Sequence, residues 1–470
     1  MNFEGKRVVV LGLGKSGVAL ARELTARGAR VLVSDARSPE ALEEPLSELE
    51  GLPVEVETGG HTDRVLAGDM LILSPGVSVH HPRVREALER GVLVTGEVEV
   101  AWRLSRAPFV AVTGTNGKST TATLIHRILG PRSILAGNIG TPLVAEVAQA
   151  PEGGYVVAEV SSFQLETVHD FCPRVAVLTN VTPDHLDRHP DLDEYFAAKA
   201  RLFALQGPED AAILSADDPE ADRMARLLEE GRLPRWLPGF PPPPGPARPQ
   251  LLRYSARGPV ERGAWFEDGN LWYRDGGPAE PLGPWGFAGL PGPHNLANAL
   301  AAVAAGRWLG VPVGEIRAAL EGHRPLHHRL EEVGVRGGVR FIDDSKGTNP
   351  GSVEAALESY SQPIHLIAGG KDKGTDFTDL GRAIARRART LVLLGEAAPR
   401  LADCAREAGM DRIQVCASLQ EAVETAWKNA QPGDVVLLSP ACASFDMFRN
   451  AEDRGRRFAE AVLALPSNRD

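Results

Sequence analysis

The 470-residue sequence has little of what marks several classes of protein. Its four cysteines are scattered, and no two of them form a Cys-x-x-Cys pair, so neither a zinc knuckle nor a disulfide framework is indicated. No apolar run reaches the roughly 20 residues that a membrane-spanning helix needs. The 51 basic residues are outnumbered by 62 acidic ones, which argues against nucleic acid as the main partner.

What is present is the composition of a globular protein, with 43% hydrophobic and 24% charged residues. The length predicts two to four domains with real hydrophobic cores. The N-terminus, MNFEGKRVVVLG, runs straight into a strand pattern, so we expect a cytoplasmic protein with no membrane partner. We also expect a monomer.

Strand and helix patterns alternate in three blocks and predict an α/β fold with helix-covered parallel sheets. We expect a Rossmann-like N-terminal domain over residues 1–94, a central P-loop ATPase-type α/β domain over 95–325, and a C-terminal Rossmann-like domain over 326–470. Eight prolines crowd the stretch from Pro234 to Pro249. We predict a surface loop there, without a catalytic role.

The sharpest local feature is the segment AVTGTNGKST, from Ala111 to Thr120. A strand runs into a glycine-rich turn, and a lysine and two hydroxyls then open a helix. Backbone N–H groups of such a turn point at phosphate oxygens, while Lys118 neutralises phosphate charge and Ser119 or Thr120 can bind Mg²⁺. The alternative is a strand–turn–helix corner with an exposed lysine, but the two hydroxyls after Gly-Lys favour nucleotide binding.

Two further polar residues follow predicted strands of the central block. Glu159 comes directly after the strand that begins at Tyr155, and His185 follows the strand that begins at Val175. Both are expected at the sheet edge that carries the glycine-rich turn, where they could bind a divalent ion. Lys199 lies in an apolar helical pattern, and the residues alone favour a surface lysine there.

The N-terminal block contains Gly12-x-Gly14-x-x-Gly17, with Asp35 at the end of the next predicted strand. This spacing meets the criteria for a dinucleotide fingerprint. A nucleotide-sugar pyrophosphate would use the same tight turn as NAD, so the motif alone leaves both ligands open.

Three polar loops end predicted strands of the third block, at Asp343–Asn349, Gly369–Lys373 and Ser439–Asp446. Their lysines and hydroxyls suit a small carboxylated substrate. No base is near Cys442 in the sequence, so we interpret that residue as a buried small side chain and not as a nucleophile.

Taken together, five segments of the sequence resemble the Mur ligases, ATP-dependent amide-forming enzymes of peptidoglycan synthesis. The segments are Thr113–Thr120, Glu159–Gln164, Asn180–His185, His294–Asn298 and His328–Arg329. The resemblance implies ATP and Mg²⁺ as cofactors and an acyl-phosphate intermediate. Its finer details imply UDP-N-acetylmuramoyl-L-alanine and D-glutamate as substrates.

The resemblance also implies a role for each site residue. The nucleotide site would comprise Gly114, Thr115, Asn116, Gly117, Lys118, Ser119, Thr120, Asn298, Arg329 and Asp344. The Mg²⁺ ligands would be Ser119, Glu159, His185 and a carbamylated Lys199, whose pKa we expect a partly buried setting beside Arg201 to lower. The substrate residues would be Lys15, Ser16, Asp35, Arg37, Gly76 and Asn138 for the UDP-linked substrate, and Lys346, Thr348, Lys373, Ser444 and Phe445 for D-glutamate.

Three alternatives stay open at this point. Folylpolyglutamate synthase shares the phosphate loop and the acyl-phosphate route, although the short N-terminal domain argues against it. An NAD(P)-dependent oxidoreductase would explain the fingerprint at Gly12, and a non-enzymatic nucleotide sensor would explain the phosphate loop.

Overall fold

The protein, described by a computed structural model, is defined over residues 2–185, 188–234, 248–287 and 289–468. Most of the predicted proline-rich surface loop, residues 235–247, lies outside the described residues. The chain divides into two compact units, the first of residues 1–285 and 297–320 and the second of residues 286–296 and 321–470. No helix in the described ranges has the length and apolar character needed to cross a membrane.

The first unit begins with a five-stranded parallel sheet in the order β3-β2-β1-β4-β5. Its strands are β1 (Arg7–Leu11), β2 (Arg30–Asp35), β3 (Val54–Thr58), β4 (Met70–Leu73) and β5 (Leu93–Gly96), and its helices are α1 (Lys15–Ala26), α2 (Glu43–Ser47), α3 (Pro82–Glu89) and α4 (Glu97–Leu104). Apolar side chains of β1 and β4 are buried because helices or loops cover both faces. The order reverses at β1, so a ligand crevice is expected at the carboxyl ends of β1 and β4.

A second sheet of the same unit has nine strands in the order β14-β13-β12-β11-β10-β9-β6-β8-β7. Its strands are β6 (Phe109–Thr113), β7 (Ser133–Gly137), β8 (Tyr155–Glu159), β9 (Val175–Leu178), β10 (Ala211–Ser215), β11 (Gln250–Ser255), β12 (Gly263–Glu267), β13 (Asn270–Arg274) and β14 (Glu280–Pro284). Around it lie α5 (Lys118–Leu129), α6 (Leu143–Glu146), α7 (Ser162–Leu165), α8 (Leu192–Ala200), α9 (Pro219–Glu229), α10 (Pro293–Trp308) and α11 (Val313–Glu321). Strand β6 lies between β8 and β9, so loops after these three strands share one edge.

The second unit contains a six-stranded sheet in the order β15-β16-β20-β17-β18-β19. Its strands are β15 (Glu331–Arg336), β16 (Val339–Asp343), β17 (Ile364–Gly369), β18 (Ala388–Leu394), β19 (Ile413–Val415) and β20 (Val435–Leu438), and its helices are α12 (Pro350–Glu358), α13 (Thr378–Arg387), α14 (Ala398–Glu407), α15 (Leu419–Asn429) and α16 (Ala451–Ala464). The edge strand β15 is antiparallel to β16, and the remaining pairs are parallel.

The predicted α/β class is confirmed, and the strands predicted from apolar runs fall on strands of the structure within one or two residues. The sequence pattern missed the antiparallel extension of the central sheet, β12 to β14. The predicted boundary at residues 94 and 95 falls inside β5, and the domain limits stay predictions.

Candidate active site

The glycine-rich turn of the central sheet joins β6 to α5 as predicted, with Lys118 as the first helical residue. Gly114 and Gly117 have φ angles of 146° and 84°, and a Cβ atom on Gly114 would lie 1.8 Å from the Thr179 hydroxyl oxygen. Lys118 Nζ donates hydrogen bonds to the carbonyl oxygens of Gly114 and Thr115, at 3.0 and 2.8 Å. The turn therefore has the shape and the charge of a phosphate cradle.

The segment after β9 forms several hydrogen bonds with this turn. The Asn180 carbonyl accepts from the Thr115 amide at 2.9 Å, and its side chain accepts from the Asn116 amide at 2.9 Å and donates back to the Asn116 carbonyl at 3.1 Å. Asn180 lies in one of the five segments that resemble the Mur ligases, but the sequence predicted no role for it. A short polar pair directly after a buried strand was the available signal.

Asn298, predicted for the nucleotide site from α10, lies against the same turn. Its side-chain oxygen accepts from the Thr121 hydroxyl at 3.3 Å, and a Cβ atom on Gly117 would lie 2.2 Å from that oxygen. Ser119 is buried in the first turn of α5, and Thr120 is half-buried beside it. The structure thus gathers the predicted nucleotide residues of the first unit around one loop.

Glu159 ends β8, next to the strand that carries the phosphate cradle. Its carboxylate is 1% exposed; Oε1 accepts from the Asn138 side-chain amide at 2.6 Å, whereas Oε2 is buried and accepts no hydrogen bond. A buried carboxylate oxygen without a donor is costly unless a cation compensates it. The predicted Mg²⁺ role of Glu159 therefore fits the structure, and Asn138, predicted for substrate, orients that carboxylate.

Lys199 is 1% exposed in α8, so its interpretation as a surface lysine is wrong. Nζ donates to the Gly114 carbonyl at 2.8 Å and lies 4.2 Å from the centre of the Tyr195 ring. Burial, and next to it the charge of Lys118, lower the pKa of Lys199 well below its ordinary value. The expected contribution of Arg201 is wrong, because burial and Lys118 are what lower this pKa; the Arg201 side chain donates to the Val168 carbonyl.

His185 lies beside the same edge with a left-handed backbone, at a φ of 56°. Its ring packs edge-on against Phe163, with centroids 4.8 Å apart, and Nε2 is 3.7 Å from the Asp184 carboxylate. Oxygen donors from Ser119 and Glu159 suit Mg²⁺, and the unpaired oxygen of Glu159 is the observation that favours a cation here.

A cavity of about 670 Å³ lies at the switch point of the first sheet. Five predicted substrate residues line it, namely Lys15, Ser16, Asp35, Arg37 and Gly76. Sequence reasoning missed two histidines of the lining, His61 and His81, whose rings meet edge-on at 5.3 Å. Single histidines in loops gave no pattern that could identify them.

Asp35 is buried in this cavity wall and is already fully engaged by protein donors. Its Oδ2 accepts from the Leu13 amide at 2.7 Å, and Arg37 binds both carboxylate oxygens, at 3.0 and 2.8 Å. Burial by itself would raise the pKa of Asp35, but the hydrogen bonds from Arg37 and Leu13 outweigh it and lower the pKa to about 2.

In the second unit, hydrogen bonds join the three predicted polar loops. The Ser439 hydroxyl donates to Asp344 at 2.7 Å, the Ala441 amide to the Gly347 carbonyl at 2.9 Å, and the Lys371 amide to the Ala443 carbonyl at 2.9 Å. Burial raises the pKa of Asp344 to about 7.

The remaining predicted residues of the second unit lie on or near these loops. Lys346 forms an ion pair with Glu452. The sequence predicted no role for Glu452. Ser444 is buried and Phe445 is 72% exposed. Lys373 and Thr348 are half-buried on their loops, and Arg329 follows His328 just before β15. Burial raises the pKa of Cys442 to about 12, in agreement with its interpretation as an inert side chain.

Comparisons with known proteins identify the family. Residues 6–96, 112–239 and 328–442 match family models described as the Mur ligase MurD-like N-terminal domain, the Mur ligase middle domain and the Mur ligase glutamate ligase domain. Relatives named UDP-N-acetylmuramoylalanine--D-glutamate ligase include those of Pelotomaculum thermopropionicum, 44% identical over 99% of both chains, and Thermoanaerobacter pseudethanolicus, 39% identical over 99% of this chain and 100% of the relative.

Solved structures share the fold at low identity. UDP-N-acetylmuramate-alanine ligase of Thermotoga maritima aligns with a TM-score of 0.59 at 19% identity, over 98% of this chain and 99% of its own. MurF of Acinetobacter baumannii aligns with a TM-score of 0.60 at 18% identity, over 97% of this chain and 91% of its own.

The chain belongs to the Mur ligase family. It is an ATP-dependent ligase of peptidoglycan precursor synthesis. The alternatives of an oxidoreductase and of a non-enzymatic sensor do not describe such a protein.

Proposed function

We propose that this ligase joins the amino group of D-glutamate to the free carboxylate of UDP-N-acetylmuramoyl-L-alanine, with ATP converted to ADP and phosphate. The names of its relatives support this pair of substrates. The observation that carries the proposal is the phosphate cradle at which Lys118 and the buried Lys199 both donate to the Gly114 carbonyl. Because the reaction consumes ATP, we place it in the cytoplasm. We also propose a monomeric enzyme without a membrane or nucleic-acid partner.

Amide formation needs an activated carboxylate, because a free carboxylate is a poor electrophile. The substrate carboxylate attacks the γ-phosphorus of ATP, an acyl phosphate forms, and ADP leaves. The amine of D-glutamate then attacks the acyl carbon, the C–O bond to phosphate breaks, and the nitrogen loses a proton. The products are the amide, ADP and phosphate.

The residues of the cradle bind and orient the phosphates in this scheme. Backbone N–H groups of the turn and the N-terminus of α5 point at phosphate oxygens. Lys118 adds a point charge that stabilises the transferring phosphoryl group. Asn298 holds the turn through Thr121. Arg329 and Asp344, in the second unit, stay predictions for nucleotide binding.

Ser119, Glu159, His185 and carbamylated Lys199 would hold Mg²⁺, which when bound neutralises charge on the phosphoryl oxygens. The amine of Lys199 attacks CO₂, an N–C bond forms, and a proton leaves, so that a carboxylate replaces a cation. This step needs a neutral amine, and burial of Lys199 provides it by lowering the pKa.

D-Glutamate is proposed to bind at the joined loops of the second unit, through Lys346, Thr348, Lys373, Ser444 and Phe445. Lysine ammonium and serine hydroxyl groups suit its two carboxylates. Lys373→Ala is therefore expected to raise the KM for D-glutamate roughly 10- to 100-fold, with little change in the KM for ATP.

The test of the proposed function is phosphate release from ATP with UDP-N-acetylmuramoyl-L-alanine and a panel of D- and L-amino acids. We expect release with D-glutamate and none with L-glutamate. Release with a folate-type substrate and L-glutamate would favour the folylpolyglutamate synthase alternative, and release without any amino acid would contradict amide formation.

A further inference from the structure

A short loop after β4, here called the pocket loop, spans Ser74 to Ser78 and lines the N-terminal cavity. Ser74 donates its hydroxyl to the Gly12 carbonyl at 2.7 Å and so fixes the loop to the glycine turn. Gly76, a predicted substrate residue, lies in the middle of the loop. The position of this loop therefore helps to set the shape of the cavity.

Arg188 reaches the pocket loop from the central domain. Its Nη1 donates to the Pro75 carbonyl at 3.0 Å and its Nη2 to the Val77 carbonyl at 2.9 Å. These two carbonyls flank Gly76 on either side. In the chain, Arg188 lies between His185 and Lys199, two residues of the predicted metal site.

The same guanidinium also contacts two side chains of the central domain, Glu166 and Phe163. Nε and Nη2 bind the carboxylate of Glu166, and the side chains of Arg188 and Glu166 are 11% and 1% exposed. The guanidinium carbon lies 4.2 Å from the centre of the Phe163 ring, and Phe163 packs against His185. One side chain thus contacts the wall of the cavity and the support of a predicted metal ligand.

A second set of contacts joins the same two regions of the protein. His80, just beyond the pocket loop, lies with Nε2 3.2 Å from Oε1 of Glu194 in α8, and Nδ1 of His189 is 3.5 Å from the same oxygen. Two separate contacts therefore hold the region of the pocket loop against the segment between His185 and Lys199.

We propose that Arg188 is a positioning residue that couples the UDP-binding cavity to the site of carboxylate activation. The inference rests on the proposed function, because that function places the two ends of one substrate at these two sites. A planar guanidinium can bind two carbonyls and a carboxylate at once, which a lysine ammonium cannot do in the same geometry. The fork of Arg188 fixes the pocket loop relative to Phe163 and His185, and so fixes the nucleotide end of the substrate relative to its reacting carboxylate.

The test compares Arg188→Lys with a matched control, Arg223→Lys. Arg223 also stacks on a phenylalanine, with 4.4 Å from its guanidinium carbon to the centre of the Phe196 ring, and it pairs with Asp193 and Glu220. All three of these partners lie in the central domain. The affinities for UDP and for a non-hydrolysable ATP analogue are measured by titration calorimetry, so neither measurement needs turnover.

Arg188→Lys is expected to weaken UDP binding about 10-fold, which corresponds to about 1.4 kcal/mol, and to leave the affinity for the ATP analogue within about twofold. Arg223→Lys is expected to change neither affinity by more than about twofold. UDP affinity of Arg188→Lys equal to that of the wild type, or an equal loss of both affinities, would overturn the proposal.

A second variant and a separate activity measurement distinguish a failure of this proposal from a failure of the proposed function. If Arg188→Lys does not fold, the double variant Arg188→Gln with Glu166→Gln, which leaves no unpaired buried charge, is subjected to the same two titrations and the same criteria. Wild-type product formation with D-glutamate is measured separately: its absence contradicts the proposed function, whereas the UDP titrations decide the role of Arg188.

Discussion

Two glycine turns of this protein each join a strand to a helix, and the two carry opposite electrostatic arrangements. One follows β1 and opens α1, and the other follows β6 and opens α5. At the central turn, Lys118 and Lys199 both donate to the Gly114 carbonyl. At the N-terminal turn, Arg37 and the Leu13 amide are both bound by Asp35. The glycine pattern therefore predicts a turn between strand and helix, and the charged groups around each turn are what distinguish the two sites.

The glycines themselves are needed for different close contacts in the two turns. A Cβ atom on Gly17 would lie 2.1 Å from the Gly12 carbonyl oxygen, so the N-terminal turn closes on itself. A Cβ atom on Gly114 or Gly117 would meet Thr179 or Asn298, so the central turn is closed by other segments. Gly17 is thus needed for a contact within the N-terminal turn, whereas Gly114 and Gly117 are needed for contacts with other segments. The N-terminal turn also contacts another segment, because Gly12 accepts a hydrogen bond from Ser74.

The largest expected effect follows from removing the positive charge of Lys118 at the central turn. Lys118→Ala should lower kcat by about 10³-fold, because the transferring phosphoryl group loses a preorganised cation in the cradle. UDP affinity should stay within about twofold, since the N-terminal cavity is untouched. Turnover near the wild-type level at saturating ATP would contradict the role of this lysine.

Lys199→Ala should lower kcat by about 10²-fold, because a buried group beside the cradle is lost. Acetate or formate should restore part of the activity by placing a carboxylate in the vacated space. In the wild type, ¹³CO₂ should give a carbamate carbon signal in the NMR spectrum that Lys199→Ala lacks. Lys428→Ala, at an exposed helix position, is the control and should keep full activity and gain nothing from acetate. Full activity of Lys199→Ala in CO₂-depleted buffer would contradict the carbamate hypothesis.

The contrast between these two lysines also shows what the sequence could and could not predict. Lys118 is set by a local pattern of strand, glycine turn and helix, so its position was predictable from neighbouring residues. Lys199 is buried only because α8 packs against a turn 85 positions earlier in the chain, and its residues alone favoured the surface. His61 and Arg188 were missed for the same reason, since their contacts join segments far apart in sequence.

At the N-terminal turn, Arg37→Ala should weaken UDP binding about 10-fold, because a cation of the cavity wall is removed and Asp35 loses its partner. The affinity for an ATP analogue should not change. Arg64→Ala, which breaks an exposed ion pair with Glu55, is the matched control on the same domain and should leave both affinities unchanged. Equal weakening of the two ligands by Arg37→Ala would show that the two turns do not bind separate nucleotides.

The smallest expected effect concerns stability at the N-terminal turn. The pKa of Asp35 is about 2 in the folded protein, against an ordinary value of 3.8, so the folded state binds fewer protons than the unfolded state between these values. The stabilisation is therefore complete above about pH 4 and is lost as the pH falls through about 2. Because half of the Arg37 side chain is exposed, we expect Asp35→Asn to cost only about 1 kcal/mol at pH 7. Urea unfolding of both proteins from pH 7 to pH 3 measures this cost, which should be constant down to about pH 4 and shrink below it. A cost that grows as the pH falls would show that the contacts of Asp35 with Arg37 and Leu13 do not stabilise its charged form.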